Sequence, residues 1–254
     1  MRRFALVIVV CCAVPSFAAT GFAQANAPAA LMVSPAVLDV GMFFSGGEVA
    51  ITGEVPVSSD VVVEIIGPEV NSLFDLKGRI GPFWLTREKV DLDNAPALYI
   101  LLLPSGPDWE QKAAALNLGI DNLKQQIGIS RSVNTPDDIF HMFLKLKRSE
   151  KLYDELPGTI LYSTGENGRR RFSATCRLPS STAVGNYTVK ATIITDGKRG
   201  AELTRDLTVQ EVGFVEMVNR MASKSRLAYG IAAVLIALFS GAVMGLLFKG
   251  SGGH

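Results

Sequence analysis

Three consecutive arginines, Arg169, Arg170 and Arg171, form the group of side chains with the most specific chemistry in this sequence. A guanidinium is a planar donor that binds inorganic anions, lipid headgroups or carboxylates through paired hydrogen bonds. The trio follows Asn167-Gly168, a pair typical of a tight hairpin turn, so it begins a predicted strand. The sequence therefore predicts a contact site for a small anion or an acidic partner. The alternative is a solvated strand edge whose like charges prevent pairing with another sheet.

Cysteine and histidine are too few to suggest a nucleophile or a metal site. Of the three cysteines, Cys11 and Cys12 lie in an N-terminal apolar segment, which leaves Cys176 in the remainder of the chain. Cys176 lies on the apolar side of a predicted strand, so we predict a buried core thiol rather than a reactive one. Asp137 and His141 lie four residues apart on a predicted helix, but zinc takes at least three protein ligands. We interpret that pair as ordinary helix electrostatics.

Catalytic motifs and charge exclude several function classes. The sequence contains no Gly-x-Ser-x-Gly elbow, no Walker loop and no His-Glu-x-x-His helix. We therefore predict no catalytic residues, no metal ligands and no cofactor, and we expect that the protein is not an enzyme. The chain has 25 basic and 24 acidic residues, and without Arg2 and Arg3 it would have 23 basic residues. A nucleic-acid partner needs a clear basic excess, so that partner class is excluded.

The N-terminal segment, residues 1–23, has the pattern of a signal peptide. Two arginines precede an uncharged apolar run from Phe4 to Val14 that is too short to cross a bilayer comfortably. Cleavage is predicted after Ala18 or after Ala23, and the second is preferred because small residues occupy both required positions there. An export signal implies that the following domain lies outside the cytoplasm.

A second apolar segment, residues 227–248, contains no charged side chain. As a helix its 22 residues rise about 33 Å, which matches the hydrocarbon core of a bilayer. We predict a transmembrane helix, preceded by an amphipathic helical stalk at 211–226 that continues stiffly into it and followed by a cytoplasmic tail at 249–254. Long domains translocate largely regardless of flanking charge, so the export signal sets the orientation. We predict a single-pass protein of the bacterial inner membrane with residues 24–210 in the periplasm.

Small residues recur every four positions along this span, at Ala233, Ala237, Gly241 and Gly245. Such a face lets a second helix approach closely. The alternative is that Gly and Ala are simply common in membrane helices. The pattern predicts contact with the lipid bilayer and either a membrane-protein partner or a homo-oligomer that packs through this face.

Alternating apolar and polar residues predict a mainly β domain. The predicted strands are Leu31 to Val40, Glu48 to Val55, Asp60 to Ile66, Ala97 to Leu103, Thr159 to Ser163, Arg170 to Leu178, Asn186 to Thr195 and Glu202 to Gln210. The Gly185-Asn186-Tyr187 step resembles a tyrosine corner, a feature of immunoglobulin domains. We therefore predict an immunoglobulin-like β-sandwich.

The middle of the domain, about residues 107–156, has helical rather than strand-like periodicity. Residues 108–127 predict one helix, and Pro136 with Thr135 as its N-cap begins a second. We interpret the block as a helical insertion packed on the sandwich. Phe83-Trp84-Leu85 is expected to fill the core.

Four segments carry a resemblance to a known family. They are Met42 to Gly53 (MFFSGGEVAITG), Asp60 to Pro68 (DVVVEIIGP), Gly81 to Trp84 (GPFW) and Ala95 to Tyr99 (APALY). These segments resemble a family of transmembrane proteins first described from alphaproteobacteria, and the similarity extends from about Val33 to the C-terminal span. The resemblance implies an exported domain with one C-terminal helix in the inner membrane of a Gram-negative bacterium, accompanying a membrane exporter of the sulfite-exporter type. It offers no catalytic residues to carry over.

Two function hypotheses follow from these observations. The first is a non-enzymatic accessory or scaffold protein that packs its membrane helix against a polytopic partner. The second is a membrane-anchored periplasmic module that captures a small anion at Arg169 to Arg171.

Overall fold

The computed structural model of the protein describes residues 30–130, 136–165 and 168–248. The predicted signal peptide and cytoplasmic tail lie outside these ranges, so both stay predictions. The elements along the chain are β1 (Leu31–Ser34), β2 (Val37–Val40), β3 (Gly47–Pro56), β4 (Ser59–Ile66), β5 (Glu69–Ile80), β6 (Phe83–Pro96), β7 (Tyr99–Pro104), α1 (Trp109–Ala115), α2 (Ile120–Gln126), β8 (Gly128–Ile129), α3 (Pro136–Ser149), β9 (Tyr153–Thr164), β10 (Arg169–Leu178), β11 (Gly185–Thr195), β12 (Lys198–Glu211), α4 (Phe214–Lys224) and α5 (Arg226–Phe248).

Nine strands form one sheet in the order β1-β3-β10-β9-β7-β4-β11-β12-β2. The sheet curls into a nearly closed barrel, and the Arg205 side chain of β12 donates a hydrogen bond to the Leu31 carbonyl of β1 at 3.0 Å. The prediction of a mainly β domain is confirmed. The immunoglobulin-like sandwich is not confirmed, because the parallel pairing of β7 with β9 joins all nine strands into one hydrogen-bonded order.

Strand positions agree with the alternation in the sequence. In β10, Phe172, Ala174, Cys176 and Leu178 are buried and the residues between them are exposed. Every predicted strand overlaps an observed one, although the segment from 31 to 40 forms two strands. β1 pairs with β3, whereas β2 pairs with β12 at the other end of the sheet order.

Tyr187 makes the hydrogen bond that defines a tyrosine corner. Its hydroxyl donates to the Ala183 carbonyl at 2.7 Å, and its ring is fully buried at the start of β11. Burial raises the pKa of Tyr187 to about 12, so the phenol remains a donor at neutral pH. The prediction of this local feature is confirmed.

A long hairpin, β5 with β6, was not predicted. Its 12-residue and 14-residue strands pair with each other, and β8 adds two residues beside β6. The expected core position of Phe83 and Leu85 is wrong, because Phe83 is 65% exposed and Leu85 is 50% exposed near the hairpin tip. Charged residues interrupt the apolar alternation of these strands, so the pattern for a strand is weak in the sequence.

The helical block differs from the prediction in one place. Residues 108–127 form two short helices, α1 and α2, instead of one. Asn117, with φ 54°, and Gly119, with φ 100°, lie between the two helices and interrupt helical geometry. Helix α3 begins at Pro136, as predicted, while Thr135 lies outside the described residues.

An aromatic cluster attaches α3 to the barrel. The Phe143 ring packs edge-on against Tyr153 of β9 at 5.3 Å between ring centroids and against Phe74 of β5 at 5.5 Å. Phe140 lies 6.4 Å from the same ring. Phe143 is 1% exposed, so one side chain of α3 joins the helix, the hairpin and the main sheet.

The stalk and the membrane helix are separate helices. Strand β12 extends to Glu211, α4 ends at Lys224, and Ser225 adopts a non-helical conformation with φ −134°. The expected continuous helix is therefore wrong, because Ser225 interrupts helical geometry between α4 and α5. Helix α5 contains a candidate span from Tyr229 to Phe248, none of which is buried inside the protein.

Candidate functional site

The three arginines do not converge on one point. Arg169 donates to the Glu54 carbonyl at 3.4 Å and Arg171 reaches the Glu54 carboxylate at 3.3 Å, both on one face of β10. Arg170 lies on the opposite face, because side chains alternate along a strand. Its guanidinium donates to the Ser59 carbonyl and to the Asp60 carboxylate, each at 2.6 Å.

Arg170 also packs on an aromatic ring. Its guanidinium carbon lies 3.6 Å from the ring centroid of Tyr162, which is within cation–π range. The Tyr162 hydroxyl accepts a hydrogen bond from the Val61 backbone at 3.0 Å, and burial raises its pKa to about 12. These intramolecular contacts give Arg170 a structural role, and anion binding by the trio stays a prediction from the sequence.

We expect Arg170 and Arg171 to differ sharply in their effect on stability. Arg170→Met removes a cation–π contact and two charged hydrogen bonds, and we expect it to lower the free energy of unfolding by about 2 kcal/mol. Arg171→Met removes one exposed ion pair, for which we expect less than about 0.5 kcal/mol. Urea unfolding of the full chain in detergent measures both. Equal losses for the two variants would contradict the assigned contacts.

Cys176 is a core residue. It is 3% exposed, and burial followed by the charge of Asp154 raises the pKa of its thiol to about 12. A thiol is nucleophilic only as the thiolate, so Cys176 is unreactive in the folded domain. The interpretation as a buried core residue is confirmed.

Asp137 and His141 do not form a metal site with a third ligand. Asp137 pairs with Lys124 of α2 at 3.0 Å, and the His141 ring packs edge-on near Phe140. In the described residues no group of three or more His, Cys, Asp or Glu side chains could hold a metal ion.

A buried polar cluster, which sequence reasoning missed, lies between the sheet and α2. Glu64 of β4 is 4% exposed, and its Oε1 accepts a hydrogen bond from the Tyr99 hydroxyl at 2.6 Å. Its Oε2 lies 3.2 Å from Lys190 Nζ, without the alignment of a hydrogen bond. The register pairs Lys190 directly with Glu64, so the two charges meet across neighbouring strands.

This cluster holds the start of α2 against the sheet. The Gly119 N–H donates to the Tyr99 hydroxyl at 3.0 Å, and the Ile120 N–H donates to Glu155 Oε1 at 3.1 Å. Burial, and then the Glu64 carboxylate, raise the pKa of Tyr99 above its ordinary value, so Tyr99 stays a donor. The arrangement is that of a structural support, because the Tyr99 hydroxyl is bonded to Glu64 Oε1 and to the Gly119 N–H, and Glu64 Oε2 faces the Lys190 ammonium.

Two cavities lie in the domain, at opposite ends of the barrel. One of about 100 Å³ adjoins Glu64, Lys190 and α2, and it has room for a few water molecules. The other, of about 480 Å³, lies at the far end of the barrel against Trp109, Lys112 and Asp196. Lys112 Nζ lies 5.3 Å from the Trp109 ring centroid.

The small-residue face of α5 is uncovered. Ala233 and Ala237 are exposed, and a side chain added at Gly241 or Gly245 would meet no atom within 4 Å. None of the span is buried inside the protein, so this face is uncovered together with the rest of the helix, and its role in helix packing stays a prediction.

Comparison with known proteins identifies one family. A family model with the description "Putative transmembrane protein (Alph_Pro_TM)" matches residues 29–250, which include the barrel, the hairpin and the membrane helix. A comparison with curated proteins gives no match. Within the described residues, the one candidate span at Tyr229–Phe248 agrees with the transmembrane character that the family description states. The resemblance from the sequence is confirmed, and the chain belongs to this family of transmembrane proteins.

Proposed function

We propose that this protein is a non-enzymatic accessory subunit of a polytopic membrane protein in the bacterial inner membrane. The barrel domain stands in the periplasm, α5 crosses the membrane once, and the C-terminus lies in the cytoplasm. A membrane exporter of the sulfite-exporter type is the partner that the family resemblance suggests.

The uncovered small-residue face of α5 is the observation that carries this proposal. Ala233, Ala237, Gly241 and Gly245 leave room for a second helix along the span, and helices in a bilayer associate mainly through such close packing. A helix that served only as an anchor would need apolar side chains but no such strip.

The strand order of the domain supports a binding role. The run β1-β3-β10-β9 and the run β7-β4-β11-β12-β2 have the strand order of the two sheets of an immunoglobulin domain, with the tyrosine corner of Tyr187 on β11. We infer an immunoglobulin-like module with two insertions, the hairpin β5–β6 and the helical block. Such modules present loops at their ends to protein partners.

Affinity purification of the full chain from mildly solubilised native membranes tests the proposal. We expect one polytopic protein to co-purify in near-equal amount. Gly241→Leu combined with Gly245→Leu fills the strip and is expected to lower its recovery about tenfold, which corresponds to 1.4 kcal/mol of binding free energy.

A matched variant controls for added bulk in the helix. Ala232→Leu combined with Ala242→Leu also enlarges two small residues, but both lie off the strip, so recovery is expected to stay at the wild-type level. Unchanged recovery in the Gly241→Leu/Gly245→Leu variant would contradict packing through this face. Recovery of the protein alone would contradict the accessory role.

A further inference from the structure

The hairpin β5–β6 and the membrane helix leave the barrel at the same end. In the sheet, Thr188 of β11 pairs with Ile66 at the end of β4, and Gly185 at the start of β11 pairs with Val209 of β12. The chain continues from Ile66 into β5 and from the end of β12 into α4. We call this the membrane-facing end of the barrel, and the hairpin begins there.

Among the side chains that the structure describes, those of the inner half of the hairpin pack on the domain. Val90 and Leu92 of β6 are fully buried, and Phe74 of β5 contacts the aromatic cluster of α3. The two residues of β8 pair with Leu92 and Asp93. These contacts hold the base of the hairpin in place and let its outer half project as a structured arm.

The apolar side of the hairpin continues into its outer half, residues 77–87, beyond the part that packs on the core. The register places Leu85 opposite Gly78 and Phe83 opposite residue 80. Even-numbered positions of β5 share the side on which Phe74 packs, because side chains alternate along a strand. Leu85 and Phe83 therefore extend the core-facing side of the hairpin, yet they are 50% and 65% exposed. An exposed apolar side of this kind indicates a surface that another molecule covers.

The charges around this apolar side favour lipid headgroups. Residues 77–89 contain four basic side chains and one acidic side chain, a net charge of +3 in a chain whose total is +1. Phe83-Trp84-Leu85 lies in the middle of this segment. Aromatic residues flanked by lysine and arginine are typical of the membrane–water interface, where rings lie at headgroup depth and cations attract anionic lipids.

The arm is long enough to reach the bilayer that α5 crosses. Helix α4, which separates β12 from the span, has 11 residues and is about 16 Å long. Residues 77–82, from the last core contact of β5 to the turn, extend about 20 Å as a strand. The outer half is therefore longer than α4, and its length is sufficient for the tip to reach the membrane surface while the span is inserted.

We propose that the tip of the β5–β6 hairpin inserts Phe83 and Leu85 into the interfacial region of an anionic lipid bilayer, the same membrane that α5 spans. The domain is then held against the membrane at two points rather than one. This inference depends on the membrane helix and not on the accessory role, so it can fail or hold independently of the proposed function.

Quenching of tryptophan fluorescence by brominated lipids tests this insertion. The full chain is reconstituted into vesicles of brominated phosphatidylcholine with phosphatidylglycerol, in which bromine quenches tryptophans that enter the acyl region. We expect an approximately twofold loss of emission, because interfacial side chains lie about 5–10 Å deep. Trp84→Phe is expected to abolish the quenchable fraction, because Trp109 is 9% exposed and lies at the far end of the barrel.

Substitutions in the hairpin distinguish insertion of its tip into the bilayer from a position that is only near the bilayer. Phe83→Asp combined with Leu85→Asp should remove nearly all quenching, since charged side chains oppose entry into the interface. Leu73→Asp is the matched control, because Leu73 is 73% exposed on the same hairpin but near its base, and quenching should stay at the wild-type level. Equal emission of the wild-type chain in brominated and ordinary vesicles would overturn the proposal and leave this surface to a protein partner.

Discussion

Replacing Phe143 with alanine is expected to lower the free energy of unfolding by about 4 kcal/mol, the upper part of the range for buried phenylalanine. The ring is 1% exposed and packs edge-on against Tyr153 and Phe74. Alanine removes both aromatic contacts and leaves a cavity where α3, the hairpin and the sheet meet. Chemical unfolding of the full chain in detergent measures the loss.

The loss should be accompanied by local opening of the hairpin. Phe74 is the β5 residue that contacts the ring, so hydrogen exchange should accelerate in β5 and β6 more than in β11, which is paired on both sides, with β4 and with β12. Phe143→Leu keeps most of the volume and is expected to cost about 1.5 kcal/mol. A Phe143→Ala chain as stable as the wild type would contradict the central position of this ring.

Replacing Glu64 with alanine is expected to destabilise the domain by about 3 kcal/mol, because breaking a buried ion pair leaves its partners unsatisfied. The Tyr99 hydroxyl would lose its acceptor, and Lys190 would keep only Glu202, which lies 3.9 Å away and is largely exposed. We expect the segment before α2 to loosen as well, because Gly119 is bonded to Tyr99. Thermal unfolding followed by circular dichroism reports the change.

Two further variants test whether the destabilisation comes from the lost charge or from the lost hydrogen bond. Glu64→Gln keeps a carbonyl oxygen for Tyr99 but removes the charge, so its cost should be about half that of alanine. Glu202→Gln alters the exposed member of the same group and should cost less than about 0.5 kcal/mol. If Glu64→Gln and Glu64→Ala had equal stability, the hydrogen bond from Tyr99 would not contribute to the cluster.

From the sequence alone, a charge that pairs inside the domain could not be distinguished from a charge that is available to a ligand. Three adjacent like charges made the arginine trio a candidate binding site. In the structure, Arg170 contacts Asp60 and Tyr162 on one face of β10. Its two neighbours contact Glu54 on the other face. Glu64 stood alone in an apolar run and gave no such signal. Its partner Lys190 is 126 residues away in the chain and becomes its neighbour only through the pairing of β4 with β11.

The hairpin shows the same limit for apolar residues. Phe83 and Leu85 have residue types that are typical of a core. The sequence does not indicate whether the apolar side of a strand is covered by the domain or extends beyond the domain. Exposure depends on where the strand ends relative to the rest of the domain. That position is set by the packing of Phe74, Val90 and Leu92, which lie several residues closer to the base.

The sequence by itself determined the membrane helix, the positions of most strands, the start of α3 and the tyrosine corner. Each of these depends on a short stretch of chain, because helix length, alternation and turn chemistry are local properties. Only the tertiary structure decided the closure of the sheet, the ion pair of Glu64 with Lys190, the aromatic cluster around Phe143 and the exposed hairpin tip. Those features arise from the pairing of segments far apart in the chain, and residue patterns along one segment carry no information about which distant segment will pack against it.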